Sequence, residues 1–221
     1  MLNSYLTDTA ALLNDTNNLF YSPAFLTNFI NRARRWIAIQ TLQPRVLVTT
    51  LSTVANQEAY AITLANAAVA AVPGVASPYG VWGVAVAEAN YFIALGRMDF
   101  PSFQAYRRIL NNTAQNYPDK FSTYNRGAAQ VIYLSLVPAA VYAMIWDVAC
   151  IPVNLVDDTT IEALPEPWTE IIPFKAASYA CETQQRWADA EEFDDDVERM
   201  MAEASVASVP FLSPDWYPEK R

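Results

Sequence analysis

The chain has 221 residues, 53% of them hydrophobic and only 17% charged. That length and composition exclude a disordered chain, suffice for one sizeable domain or one domain with an insertion, and leave a charge-poor surface that other subunits or partners are expected to cover. There is no histidine, which removes the commonest general base, proton shuttle and nitrogen ligand for zinc. Two cysteines, Cys150 and Cys181, are too few for a disulfide framework and lie in apolar surroundings, so both are expected buried and reduced. The first residues carry no basic run ahead of an apolar segment, so synthesis in the cytoplasm without a signal peptide is the expectation. The net charge of −9 is unevenly spread: residues 1–45 hold four bases against two acids, residues 46–150 balance, and residues 151–221 hold sixteen acids against five bases.

The first segment reads as helical. Ser22-Pro23 is a helix cap followed by proline at the first helical position, with Tyr21 and Leu26 spaced for a hydrophobic staple across it. Leu26, Phe29, Ile30, Ala33, Trp36 and Ile37 recur at three and four residues as one apolar stripe, and Asn28, Asn31, Arg32 and Arg35 fall opposite. The helix is expected to end before Pro44. A shorter helix over residues 8–13 is expected to pack on the same stripe, joined to it by the polar link 14–18.

The middle segment changes texture. Runs over residues 45–51, 60–64, 81–86, 91–95, 131–137 and 141–148 are β-branched and aromatic and are punctuated by Gly and Pro, as strands are. One helix is expected at 102–110, and the rest reads as a small antiparallel sheet or sandwich. Two uncharged stretches, 59–87 and 127–146, raise the membrane question. They are broken by Asn66, Pro73-Gly74 and Pro78, and by Gln130 and Pro138, and they lack a Lys/Arg flank, so buried strands and no membrane partner are the expectation.

The third segment opens with a loop, 152–167, followed by one long helix from Trp168 to about Ala204, whose Pro173 is tolerable in the first turn. Its inner face is expected to be Ile172, Ala176, Tyr179, Ala180, Thr183 and Trp187, continued thinly by Phe193, Val197, Met200 and Met201. Residues 205–221, with Pro210, Pro214 and Pro218, suit an extended arm, and Val209, Phe211, Leu212, Trp216 and Tyr217 are too apolar for a solvated tail, so the arm is expected to dock. The fold class expected is α+β: a helical bundle formed by the N- and C-terminal helices, an inserted small antiparallel β domain, and an extended C-terminal arm. The boundaries fall at residues 1–44, 45–150, 151–204 and 205–221.

Chemistry is scarce. Five scattered glycines exclude a phosphate loop, and no Cys/His metal pattern exists. Glu162, Glu166 and Glu170 lie four apart, but Pro165 and Pro167 break that spacing into a loop, so a carboxylate-dependent hydrolase is a remote alternative. The acidic cluster 189–198, with Asp194, Asp195 and Asp196 at its centre, lacks the turn glycine of a calcium loop and reads as a solvated or pore-lining face. Arg32, Arg34 and Arg35 are a weak nucleic-acid footprint in so acidic a chain, and pairing with acids of the last helix or of a neighbouring copy suits them better. No cofactor and no enzymatic activity are expected.

Two stretches carry a family resemblance. Residues 12–38, LLNDTNNLFYSPAFLTNFINRARRWIA, resemble the opening helices of the head-to-tail adaptor (connector) proteins of tailed bacteriophages. Residues 161–168, IEALPEPW, with 172–180, IPFKAASYA, resemble the start of that family's second long helix after a sheet insertion. The resemblance implies a ring of identical subunits, typically twelve, that joins the portal to the tail or nozzle protein at the neck of the virion after assembly in the host cytoplasm. Genomic DNA would pass through its channel without sequence-specific binding. On that reading Val209, Phe211, Leu212, Trp216 and Tyr217 would grip the portal or a neighbouring subunit, Asp194, Asp195 and Asp196 would line the channel, and Arg32 and Arg35 would form ion pairs between subunits. Another virion component, a tail-tube, gatekeeper or decoration protein, is the alternative.

Overall fold

A computed structural model of the chain describes residues 1–17, 19–88, 91–109, 115–126 and 129–208. The apolar arm residues Val209, Phe211, Leu212, Trp216 and Tyr217 lie outside the described residues. The fold is α+β. In chain order it comprises α1 (Leu2–Leu12), α2 (Pro23–Thr41), β1 (Arg45–Ser52), β2 (Ala59–Ala61), a 3₁₀ turn (Ile62–Ala65), α3 (Asn66–Ala70), β3 (Val75–Glu88), β4 (Tyr91–Ala94), β5 (Gly96–Arg97), α4 (Phe100–Ile109), β6 (Gln115–Asn116), β7 (Lys120–Arg126), β8 (Ala129–Ser135), β9 (Val137–Pro138), β10 (Ala143–Pro152), α5 (Trp168–Thr183) and α6 (Trp187–Ser208). The chain divides into two compact units: one comprises residues 1–37 and 154–221, and the other residues 38–153.

The first unit is helical. α1 begins six residues earlier than the apolar run at its end suggests, because Leu2, Tyr5 and Thr9 already follow helical spacing and are buried with Leu13. Asp158 accepts a hydrogen bond from the Asn3 amide at 2.8 Å, placing a carboxylate where the first turn's free N–H groups favour one. α2 starts as the cap predicts: Ser22 Oγ accepts from the Phe25 amide at 3.3 Å, Tyr21 and Leu26 are both buried, and so are Phe29, Ile30, Ala33 and Ile37.

The long C-terminal helix of the sequence reading is two helices. α5 stops at Thr183, Gln185 takes a left-handed φ of 61°, and α6 restarts at Trp187. The physical reason lies in the polar run Thr183 to Arg186, which offers no apolar residue to continue the buried stripe. Thr183 and Trp187, expected on the inner face, are accordingly exposed. With so short a turn, α5 and α6 pack as an antiparallel hairpin, and Lys175 meets Asp194 across it at 2.7 Å. α6 contributes Ala190, Val197 and Ala204 to the seam, each buried and seven residues from the next, flanked by the half-buried Phe193 and Met200. That is the spacing at which one helix keeps a single narrow face against another. α5 also packs on α1 and, through Tyr179 and Lys175, on the rings of Phe29 and Trp36 in α2.

The second unit is β-rich. One sheet has the order β1-β10-β3-β4, all antiparallel, and a second has the order β2-β8-β7-β5, in which only β5 and β7 run parallel. β6 and β9 form a further parallel pair. Alternation sets the buried faces: Val46 and Val48 on β1, Val84 and Val86 on β3, and Met144, Trp146 and Val148 on β10 point into the core, as do Phe121, Ile132 and Leu134 of the second sheet. Pro78 sits in β3 where the register with β10 shifts between Ala149 and Cys150, a position where a missing N–H does not break a ladder. The run 60–64 is not one strand: it turns after Ala61 into the 3₁₀ turn and α3, while the polar stretch Lys120–Arg126 forms β7, which the hydrophobic texture does not reveal. Cys150 and Cys181 are both free and buried, and burial pushes the Cys150 thiol up to about 12.

The connection between α1 and α2 is organised by one carboxylate. Asp15 accepts hydrogen bonds from the amides of Leu19, Phe20 and Tyr21 at 2.7, 3.0 and 2.8 Å. Desolvation pushes its pKa up, but these three donors outweigh it and hold the carboxyl below its ordinary value of 3.8. A group with a lowered folded-state pKa stabilises above its unfolded value, and that contribution disappears as the pH falls through the folded one. Asp15→Asn is therefore expected to be less stable than wild type in urea unfolding at neutral pH. The gap should close below about pH 4; a gap independent of pH would contradict the account.

Candidate interaction surfaces and the polar hub of the helical unit

The most organised polar cluster in the helical unit surrounds Glu162, at the centre of the loop before α5. Arg34 of α2 grips it with two parallel bonds, Nε to Oε2 at 2.8 Å and Nη2 to Oε1 at 2.7 Å. The side chains of the pair are only 1% and 5% exposed. Tyr5 of α1 donates its hydroxyl to Oε2 at 3.2 Å, and the amides of Ala163 and Leu164 donate to Oε1 at 2.9 and 3.0 Å. Arg34 Nη1 also donates to Asn31 Oδ1, and Asn31 clamps the Leu155 backbone with both ends of its amide, at 3.0 and 2.7 Å. Burial and the adjacent Glu162 charge push the Tyr5 hydroxyl well above its ordinary range, so it remains a donor. Oε1 of Glu162 thus accepts three hydrogen bonds and Oε2 two, all from structural partners, so the Glu162 carboxylate is committed to the fold. Glu166 and Glu170 are exposed.

Residue 34 was not singled out within its arginine cluster, although it lies four residues after Ile30 and three before Ile37, on the buried stripe. A buried guanidinium requires a buried acid, and that requirement is the signal that could have found the pair. Arg32 lies over the ring of Tyr179, its guanidinium carbon 3.9 Å from the centroid. Arg35 is exposed. Neither forms an ion pair among the described residues. Of the three aspartates considered for a channel wall, Asp194 is committed to Lys175 and Asp196 to Arg199 at 2.6 Å, one helical turn away. Lys175 is 9% exposed, and its ammonium lies over the rings of Trp36 and Tyr179 at 5.1 and 4.6 Å. Asp195 is exposed and forms no ion pair among the described residues.

Two further features carry no assigned chemistry. A groove of about 820 Å³ runs between α1 and α5, walled by Tyr5, Asp8 and Leu12 on one side and Glu170, Pro173 and Phe174 on the other. In the β-rich unit, Trp82 is half exposed, with the guanidiniums of Arg45 and Arg97 at 5.3 and 5.5 Å from its ring. Arg45 is also paired with Asp147 on the neighbouring strand. Among the described residues no group of acids and cysteines is placed to hold a metal ion, and no helix is long and apolar enough to cross a membrane. No family model matches the chain, and no curated protein is significantly similar to it in sequence.

The hub yields a quantitative expectation. Removing one partner of a buried pair strands the other, at about 3–5 kcal/mol. Arg34→Met and Glu162→Leu are each expected to lose stability in that range by denaturant unfolding. The double variant should recover part of the loss, leaving the amides of Ala163 and Leu164 without their acceptor. Single variants that each lose less than about 1 kcal/mol would mean that the pair organises nothing.

Proposed function

We propose that the protein is a structural component of a tailed-phage virion, a head-to-tail adaptor that forms a ring between portal and tail around the DNA channel. The observation that carries the reading most is the hub. Residues 12–37 of the first stretch that resembles the adaptor family and both parts of the second, 161–168 and 172–180, belong to one helical unit, and the bidentate Arg34–Glu162 pair joins them directly. An order of helices, inserted β-rich unit and further helices accords with the same reading. On this proposal the helical unit is the family's bundle, and because α6 runs on to Ser208 rather than ending near Ala204, the extended arm is 209–221 instead of 205–221. The buried hub and the carboxylates committed to Lys175 and Arg199 are structural.

A ring of identical chains needs two different complementary faces on each subunit. Arg35 is available for such a face, whereas Arg32 would have to leave the Tyr179 ring or bridge from it. The decisive measurement is the mass and copy number of the assembly: a single ring at the portal vertex is expected, while hundreds of copies over the capsid would establish a decoration protein. Deleting residues 209–221 should leave the circular dichroism of the remainder unchanged and abolish attachment to the portal, because Phe211, Leu212, Trp216 and Tyr217 supply the apolar anchors.

The acidic face of α6 has its own test. Double-stranded DNA carries a negative charge about every 1.7 Å of its axis, so an acidic wall lets it slide where a basic wall would hold it. Because Asp194 holds Lys175, its replacement would damage the hairpin rather than the wall, and Asp195→Lys is the informative variant. If α6 faces the channel, Asp195→Lys particles should assemble but release DNA more slowly, with the defect relieved by added salt. Normal release kinetics would put α6 on the outside.

A further inference from the structure

The groove between α1 and α5 has a built shape and no occupant from the described part of the chain. Its walls are one helical face of α1, running from Ser4 and Tyr5 through Asp8 to Leu12, and the first turn and a half of α5, where the half-buried Phe174 presents apolar surface beside the buried Pro173. Two carboxylates, Asp8 and Glu170, stand along it, both exposed and neither in an ion pair among the described residues. A ligand that fits would be apolar along its length and cationic where it meets the acids.

The hairpin geometry delivers such a ligand to this place. α6 runs antiparallel to α5, and it is the longer helix, 22 residues against 16. At 1.5 Å per residue the lengths are about 33 and 24 Å, so α6 ends level with or beyond the first turn of α5, the end at which Glu170, Pro173 and Phe174 lie. Thirteen residues follow Ser208: Val-Pro-Phe-Leu-Ser-Pro-Asp-Trp-Tyr-Pro-Glu-Lys-Arg. Extended, they reach at most about 43–47 Å, whereas rounding a helix about 10–12 Å across needs only some four of them. Their bulkiest apolar side chains come in two pairs, Phe211-Leu212 and Trp216-Tyr217; the acids Asp215 and Glu219 lie on either side of the second pair, and Lys220 and Arg221 beyond them are basic.

We propose that the α1–α5 groove is the docking site for this chain's own residues 209–221, with Trp216 and Tyr217 seated against Leu12, Pro173 and Phe174, and with Lys220 and Arg221 facing Asp8 and Glu170. The tether favours the same chain over a separate one, since a segment joined to its site by a short stretch of the same chain is presented at an effective concentration in the millimolar range. The three prolines limit the conformations that the segment loses on docking. This inference concerns the free chain and does not depend on the adaptor reading. Where that reading holds, docking keeps the two aromatic side chains covered until the portal competes for them.

The full-length protein tests it by hydrogen exchange. In Trp216→Ala/Tyr217→Ala, the amides of α1 and of residues 169–174 should exchange at least ~tenfold faster than in wild type, while those of β10 stay unchanged. Ala11→Arg, an exposed position that fills the groove from its wall, should accelerate exchange in 209–221. In a second experiment, Ala11→Cys/Ser213→Cys is treated with a short thiol-specific cross-linker, Cys150 and Cys181 being buried, in a mixture with a size-tagged copy of the same variant. A cross-link within single chains is expected. A cross-link between tagged and untagged chains would make the occupant a second copy and overturn the proposal. So would the absence of any cross-link, or α1 exchange indifferent to the aromatic pair.

Discussion

The helical unit depends on one buried ion pair. Arg34 and Glu162 lie 128 positions apart in sequence, and a charged side chain removed from water needs nearly all of its hydrogen bonds met by the protein. That requirement positions α2, through Arg34, against the loop that carries Glu162, and α1, through Tyr5, against the same carboxylate. Asn31 adds a clamp on Leu155, where the chain re-enters the helical unit. Apolar packing of Leu26, Ile30, Ala33 and Ile37 supplies the larger share of the stabilising area, but such packing tolerates sliding and rotation. A bidentate guanidinium–carboxylate contact does not, because its two bonds are met in only one alignment.

The same logic separates the two faces of α5. Lys175 lies in the middle of the helix most thoroughly buried in this unit, yet it keeps its charge satisfied by Asp194 on α6 and by the faces of Trp36 and Tyr179. Its aliphatic stem fills core space while its head reaches the edge of the hairpin. Arg32 treats Tyr179 likewise from the opposite helix. Tyr179 is thus flanked by two cations, and its hydroxyl pKa is raised chiefly by burial, with Arg32 acting in the other direction.

The helices were legible where a periodic stripe or a cap exists. Ser22-Pro23, the stripe of α2 and the apolar half of α5 all emerge from spacing, and the strand runs at β1, β4 and β10 from texture. The break between α5 and α6 was not, because a polar interval of four residues within a helical pattern is as compatible with a solvated turn of helix as with a loop. β7 was missed for a related reason: Phe121, Thr123 and Tyr124 suit a strand, but with Ser122 and Asn125 among them the run does not alternate in hydrophobicity. The hub was missed because pairing over long sequence distances leaves no local trace. Only the position of Arg34 on an apolar stripe hinted at it, and nothing near Glu162 marked the partner.

The helical unit is discontinuous in the chain, and this shapes how it is made on the ribosome. α1 and α2 leave the exit tunnel long before α5, α6 and Glu162 exist, and at about 5–20 residues per second the interval between Arg34 and Glu162 lasts roughly 6–25 s. Throughout that time Arg34 has no carboxylate, and the stripe of α2 has no α5 to cover it. The β-rich unit waits almost as long, because β1 pairs only with β10 and Arg45 meets Ala149 across 104 positions, but it is complete at residue 153, before α5 and α6 have been made. Until then the nascent chain carries unpaired strands as well as an uncovered pair of helices, and it is during that stage that the chain is most exposed to association with its own copies or to capture by a chaperone.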